Sequence, residues 1–190
     1  MTTHVDPHGS MTRRRTVTKP SGPVTRVLGV DTSLRSTGFG IVDAVGNSYS
    51  GVKWGQIRNP ASRIHSECLA HLFRELQTLI TEEKPVAVAV EGIFFSKNVR
   101  TAVTLGQARG VVLAVCALEG LPVFEYSPRS VKQAVVGNGN AHKEQVMVMV
   151  ARLLGITETI SNDAADALAL SICHLHQSRR PALAKSPTRV

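Results

Sequence analysis

The stretch Asn162-Asp163-Ala164-Ala165-Asp166-Ala167-Leu168-Ala169-Leu170 most restricts what this chain can become, because it patterns as a helix yet sets two carboxylates in almost wholly apolar surroundings. Residues three apart project from one helix face, so Asp163 and Asp166 stand one above the other near the helix start. From Ala164 to Cys173 nearly every other position is apolar or small, which predicts burial on most sides. The helix macrodipole accounts for Asp163. A second carboxylate is harder to place, since burying it unpaired is costly or raises its pKa until it is neutral. Positive charge is therefore expected beside Asp166.

Two further carboxylates end apolar runs. Asp31 follows Val27-Leu28-Gly29-Val30, and Glu91 follows Val86-Ala87-Val88-Ala89-Val90. The carboxyl ends of buried strands are where open α/β sheets place their sites. If those ends meet the last helix, four carboxylates share one small volume and repel unless divalent metal binds them. Oxygen-only ligation with room for water and phosphate suits Mg²⁺ or Mn²⁺.

The rest of the pattern supplies a frame. Val24–Val30, Thr37–Asp43 and Tyr49–Ile57 read as three sequential strands joined by short turns, an antiparallel meander. Ile64, Cys68, Leu69, Leu72, Phe73, Leu76, Leu79 and Ile80 form the stripe of an amphipathic helix, with Ser62 as a candidate N-cap. Pro85–Val90 reads as a central parallel strand and Leu121–Tyr126 as another. Helices are expected over 101–119, from Pro128 with Ser127 as cap, and over 142–154. The helix over 101–119 carries Gly106 and Gly110 four apart, a spacing that admits close approach of another element, so it fills the core or forms a subunit interface.

With 190 residues there is material for one ordinary domain. Residues 24–176 hold it, and residues 1–23 and 177–190 read as disordered basic tails. Of the net charge of +8, residues 1–24 contribute +3 and residues 177–190 contribute +4, which leaves +1 for the middle. Binding of a polyanion by the domain then depends on where its cations lie, with the tails adding a salt-sensitive attraction. Cys68, Cys116 and Cys173 lack metal-ligand spacing and read as small buried hydrophobes of a reducing compartment. No run reaches the ~20 apolar residues of a membrane span, and the Arg-rich start contains Asp6 and no amphipathic period, which argues against an organellar transit peptide. A cytoplasmic, bacterial setting is the expectation.

After Glu91 comes Gly92-Ile93-Phe94-Phe95-Ser96-Lys97-Asn98-Val99-Arg100, which pairs two aromatics with two cations. Aromatic faces stack on unpaired bases while Lys and Arg hold phosphates, so Phe94, Phe95, Lys97 and Arg100 are candidate nucleic-acid contacts, against a packing role for either Phe. Arg129 and Lys132 lie three apart on one predicted helix, and Lys143 opens the next.

Three antiparallel strands, then helix, strand, helix, strand and helices, with carboxylates on the first strand, the fourth strand and the last helix, resemble the RNase H-like nucleases, an α/β fold with a five-stranded mixed sheet flanked by helices. Within that group the chain resembles the RuvC family of Holliday-junction resolvases. The likeness rests on Leu28-Gly29-Val30-Asp31, Glu91 with Phe94 and Lys97-Asn98, Leu105-Gly106-Gln107-Ala108-Arg109-Gly110, Pro122-Val123-Phe124-Glu125-Tyr126, Val131-Lys132-Gln133 and Asp163-Ala164-Ala165-Asp166-Ala167-Leu168. It spans about residues 25–176 and leaves both tails uncovered.

The resemblance implies that Asp31, Glu91, Asp163 and Asp166 are catalytic ligands of two Mg²⁺ or Mn²⁺ ions. It implies that Lys132 and Lys143 contact phosphate near the scissile bond, that Phe94 stacks against DNA, and that Lys97, Arg100, Arg109 and Arg129 contact the backbone. A homodimer cutting four-way junction DNA by paired nicks, leaving 5′ phosphate and 3′ hydroxyl ends in recombination and repair, is implied too, with a RuvA–RuvB branch-migration complex as partner. One departure stands out: Thr32-Ser33 follows Asp31 where the family usually has Pro-Gly. An Asp-Thr-Ser turn is also similar to phosphate-binding turns of actin-like ATPases and sugar kinases, but no second such turn or half is present. Two other readings stay open, a junction-binding protein that does not cut and an RNase H-like nuclease acting on other branched DNA or RNA.

Overall fold

Alternation along β-strands decides which side of the sheet each residue faces, and here it puts two different kinds of surface back to back. The computed structural model describes residues 3–5, 11–14, 22–92, 98–178 and 188–190. Its elements are β1 (Thr3–Val5), β2 (Met11–Arg14), β3 (Thr25–Asp31), β4 (Ser36–Val45), β5 (Ser48–Arg58), α1 (His65–Glu83), β6 (Ala87–Glu91), α2 (Val99–Leu118), β7 (Val123–Tyr126), α3 (Pro128–Val136), α4 (Lys143–Leu154), α5 (Asn162–Gln177) and β8 (Thr188–Arg189). They form one sheet in the order β1-β2-β5-β4-β3-β6-β7-β8. β3, β4 and β5 make the antiparallel meander, while β6 and β7 run parallel to β3.

The five expected strands are the centre of this sheet. Thr3–Val5, Met11–Arg14 and Thr188–Arg189, which the sequence places in the tails, extend its two edges: β2 pairs antiparallel with β5, and β8 with β7. Unpaired N–H and C=O groups of an edge strand accept such additions without needing an apolar pattern in the added segment. The first helix also begins later than expected. Ile64, not Ser62, is its N-cap residue, and Lys84 ends it in the left-handed region.

On one face Leu28, Val30, Phe39, Ile41, Val88 and Val90 bury themselves under α1 and α2. On the other, Val27, Val42, Ala44, Trp54 and Ala89 meet α3, α4 and α5. α5 is the central element of that second layer, with Ala164, Ala165, Ala167, Leu168 and Leu170 to Leu175 all buried. It lies directly on the sheet because Gly29 and Gly38 leave room for it. A Cβ on Gly29 would stand 1.9 Å from the Ala167 carbonyl oxygen, and one on Gly38 2.0 Å from that of Asp163. Ser171 Oγ then donates to the Gly40 carbonyl at 2.8 Å. The three cysteines are buried, each as a thiol outside any disulfide.

α2 differs from α5. It packs against α1 through Ala108, Val112, Val115 and Cys116, but Val99, Val103 and Leu118 are exposed. By length and mean hydropathy alone α2 reaches what a bilayer span requires, a feature the run-by-run reading of the sequence passes over; Arg100 and Arg109 interrupt it.

Candidate functional site

The register brings the isolated carboxylates to one side. Asp31 pairs with Gly38 and Gly29 with Gly40, so Asp31 shares the α5 face with those glycines. Glu91, paired with Tyr126 at the end of β6, points the same way as Ala89 beneath α5. α5 enters over this corner with its N-terminal turn, since the Asp163 carbonyl sits above Gly38. Asp31, Glu91, Lys132, Lys143 and Asp166 line a cleft of about 240 Å³, floored by Val131, Val146, Ala169 and Leu170.

Asp163 stands at the edge of this group, held by a separate set of donors. Its Oδ2 accepts from Ser36 Oγ at 2.5 Å and from Gln56 Nε2 at 2.6 Å. The positive charge expected beside Asp166 is Lys143, whose Nζ donates to Asp166 Oδ2 at 2.6 Å. That bond, with the nearby carboxylates, holds the Lys143 ammonium above its ordinary pKa.

One ammonium does not neutralise the cluster. Burial and the neighbouring Asp166, Glu91 and Asp163 push the Asp31 carboxyl up to about 7, with Lys143 opposing them. Glu91 is raised as well, by partial burial of its carboxyl and then by Asp166, although the residue itself remains exposed at the strand end. Crowded acids with depressed acidity in a cleft are the electrostatic mark of a cation site.

The donor set is hard and all-oxygen, which fits Mg²⁺ or Mn²⁺ in chemistry. Among the described residues, however, no three such side chains close around a common point. Lys143 takes Asp166 Oδ2, while Ser36 and Gln56 take Asp163 Oδ2. Ligation by all four carboxylates would require Asp166 to exchange its ammonium partner for metal.

The other candidates divide. Lys132 lines the cleft, half-buried, and Arg100 and Arg129 are exposed on α2 and α3. Arg109 is placed elsewhere than a backbone contact requires: it is 6% exposed, and its guanidinium donates to the Glu91 carbonyl at 2.6 Å and to Glu125 Oε2 at 2.7 Å. Its charge is spent inside, tying the end of β6 to β7. Phe94, Phe95 and Lys97 lie outside the described residues. The Thr32-Ser33 turn is clamped by the buried Thr37, whose hydroxyl donates to the Ser33 carbonyl and accepts from the Ser33 N–H at 3.3 Å.

Sequence reasoning passes over Ser36 and Gln56. The signal exists, because Gly38 pairs with Gln56 and Ser36 with Arg58, but reading it requires a register that shifts between Ile41 and Val42. Polar residues in a meander otherwise look like its solvated side.

Comparison with known proteins identifies the family. The family model for the crossover junction endodeoxyribonuclease RuvC matches residues 27–174. The RuvC of Syntrophomonas wolfei is 46% identical over 155 residues, covering 81% of this chain and 90% of that protein. The RuvC of Pelotomaculum thermopropionicum is 48% identical over 151 residues, covering 79% and 92%. Among solved structures, Thermus thermophilus RuvC in complex with a Holliday junction substrate superposes with a TM-score of 0.78 at 31% identity, covering 82% of this chain and 95% of that one. The yeast mitochondrial Holliday junction resolvase Ydc2 shares the fold, with a TM-score of 0.61 at 14% identity over 83% of this chain and 82% of that one. With a family model spanning most of its length and relatives this similar, the chain belongs to the RuvC family of crossover junction endodeoxyribonucleases.

Proposed function

We propose that this protein resolves four-way DNA junctions by hydrolysing one phosphodiester bond in each of two opposed strands. The observation that carries the reading is the cleft in which Asp31, Glu91 and Asp166 face Lys132 and Lys143, with Asp163 near enough to act electrostatically on Asp31. Asp31, Glu91, Asp163 and Asp166 would hold two divalent ions, Mg²⁺ or Mn²⁺. When bound, such ions supply an activated water and stabilise the leaving 3′ oxygen.

The chain's own groups do the rest. Lys143 stands at the cleft with its ammonium protonated throughout the neutral range, so that, released from Asp166, it offsets charge growing on the phosphate. Lys132 orients the same phosphate from α3. Val131, Val146, Ala169 and Leu170 exclude bulk water below them and strengthen each of these interactions. The products would be a 5′ phosphate and a 3′ hydroxyl. Arg100 and Arg129 are the exposed cations that would follow the arms of the DNA, as partners of a junction such as that bound by the T. thermophilus relative.

A two-fold junction calls for a two-fold enzyme, and α2 offers the surface for it. Val99, Val103, Gly106, Gly110, Ala114 and Ala117 recur every three or four residues and are all exposed. Among the described residues, a Cβ on Gly106 or Gly110 would meet nothing within 4 Å beyond its own turns of helix. A second copy covering this stripe would place two clefts at once, and a RuvA–RuvB branch-migration complex would deliver the junction to them.

The deciding experiment is nicking of a labelled four-way junction in Mg²⁺ or Mn²⁺, with linear duplex as control. The expected outcome is paired cuts that require metal, spare the duplex and vanish in Asp166→Asn. Tight junction binding without cutting in either metal would leave a binding module and remove the catalytic reading.

A further inference from the structure

Ser36, Gln56 and Arg58 belong to none of the carboxylate or lysine positions discussed for catalysis, yet they form one continuous hydrogen-bonded chain that ends on Asp163. Strand register sets it up: Ser36 and Gly38 lie on the α5 side of β4, and their partners across the ladder are Arg58 and Gln56 of β5. Because Gly38 has no side chain, α5 descends until Asp163 meets the side chains on either side of that glycine.

The direction of each bond is fixed by chemistry. The Arg58 guanidinium is donor-only, and its Nε lies 3.0 Å from Gln56 Oε1, with Nη2 on the same oxygen. The amide must therefore turn its oxygen to Arg58 and its NH₂ to Asp163. Gln56 Nε2 accordingly donates to Asp163 Oδ2 at 2.6 Å and to Ser36 Oγ at 3.1 Å, and the Ser36 hydroxyl donates its own O–H to the same Oδ2. Both donors load one carboxylate oxygen. The other, Oδ1, receives no such bond among the described residues.

We infer that Gln56 and Ser36 are positioning residues for Asp163, pinning Oδ2 so that Oδ1 is presented to a divalent cation, and that Arg58 fixes the amide that does so. This rests on the reading of Asp163 as a ligand given above. A carboxylate held by two donors on one oxygen has lost most of its rotation about the Cβ–Cγ bond before any ion arrives. Groups that orient a ligand in this manner typically contribute about 10–100-fold to metal affinity or activity.

The test is Mn²⁺ binding to the full chain without DNA, by titration calorimetry, alongside the Mn²⁺ concentration that gives half-maximal junction cutting. Gln56→Ala and Ser36→Ala should each weaken Mn²⁺ binding by about 10–100-fold, and excess metal should restore much of the rate. Ser36→Thr, which keeps the hydroxyl, should retain the parent affinity. Gln56→Glu keeps the shape and the bond from Arg58 but sets a carboxylate against Asp163; it should bind Mn²⁺ most weakly while circular dichroism shows a folded protein. Arg58→Ala should show the smallest loss, since the amide can still turn to Asp163. Parent-like Mn²⁺ affinity in folded Gln56→Ala, Ser36→Ala and Gln56→Glu would overturn the inference while leaving the proposed function intact. Failure of the parent chain itself to bind Mn²⁺ would overturn both.

Discussion

At the scale of single residues the site is a problem of uncompensated charge. Asp31 carries most of it: its carboxyl is pushed from 3.8 up to about 7 by burial, then by Asp166, Glu91 and Asp163. In the folded, metal-free protein Asp31 therefore holds a proton between roughly pH 4 and 7 that the unfolded chain has already released. Folding binds a proton in that window, so this group's contribution to stability falls as pH rises, and its full cost is present above pH 7. Asp31→Asn removes the cost. In urea unfolding with chelator present, the variant should be more stable than the parent by about 2 kcal/mol at pH 8, a value discounted for the water that still reaches the cleft, and the difference should vanish near pH 4. Equal stabilities at pH 8 would show that Lys143 alone compensates the cluster. The four carboxylates were legible in the sequence because each interrupts an apolar run. Their environment was legible only in part: the need for a cation beside Asp166 followed from burial, and Lys143 meets it, whereas Arg109 looks in sequence like any other basic residue of a helix. Its burial depends on Glu125 and the Glu91 carbonyl lying across from it, two partners that no local pattern announces.

Among the elements, α5 sets the geometry, and glycine sets α5. The helix brings Asp163 and Asp166 to the ends of β3 and β6 only because its backbone lies almost against the sheet over Gly29 and Gly38. Gly38→Ala would drive a methyl group into the Asp163 carbonyl, with backbone on both sides and no flexible side chain to yield. Overpacking of this kind costs about 1–3 kcal/mol, and a displacement of about 1 Å in a reacting group costs on the order of 100-fold in rate. We expect Gly38→Ala to remain folded with a lowered Tm, to bind a four-way junction in chelator as the parent does, and to cut it about 100-fold more slowly. A parent-like cutting rate would mean that α5 can shift without consequence for the carboxylates. Patterning was enough to place β3 to β7 and all five helices: short apolar runs mark β3 and β6, which are buried on both faces, and helical periodicity marks α1 and α4. It could not place β1, β2 and β8, which join the sheet at its edges, nor the shift in register at Ile41 and Val42 that aligns Gln56 with Gly38.

For the molecule as a whole, the two faces of the sheet have unequal tasks. The α3–α4–α5 face is closed over and carries the cleft, while the α1–α2 face ends in a helix whose outer stripe of Val99, Val103, Gly106, Gly110, Ala114 and Ala117 is exposed. Glycine is unfavourable in a helix interior by about 1 kcal/mol relative to alanine, so two of them four apart on an exposed face weaken α2 unless close approach of another surface offsets the loss. A second copy does so if the two α2 helices cross near Gly106 and Gly110. Gly110→Arg tests this at little risk to the fold, because among the described residues nothing beyond its own turns of helix lies within 4 Å of the added Cβ. Sedimentation should then report a dimer for the parent and a monomer for the variant, with unfolding of the isolated domain shifted only by the lost association. The cleft is built within one chain, so the monomer should still nick one strand of a junction in metal, but the second nick should no longer be coupled to the first, and nicked intermediate should accumulate where the parent releases paired products. A Gly110→Arg protein that stays dimeric and cuts in pairs would place the dimer contact elsewhere than on α2.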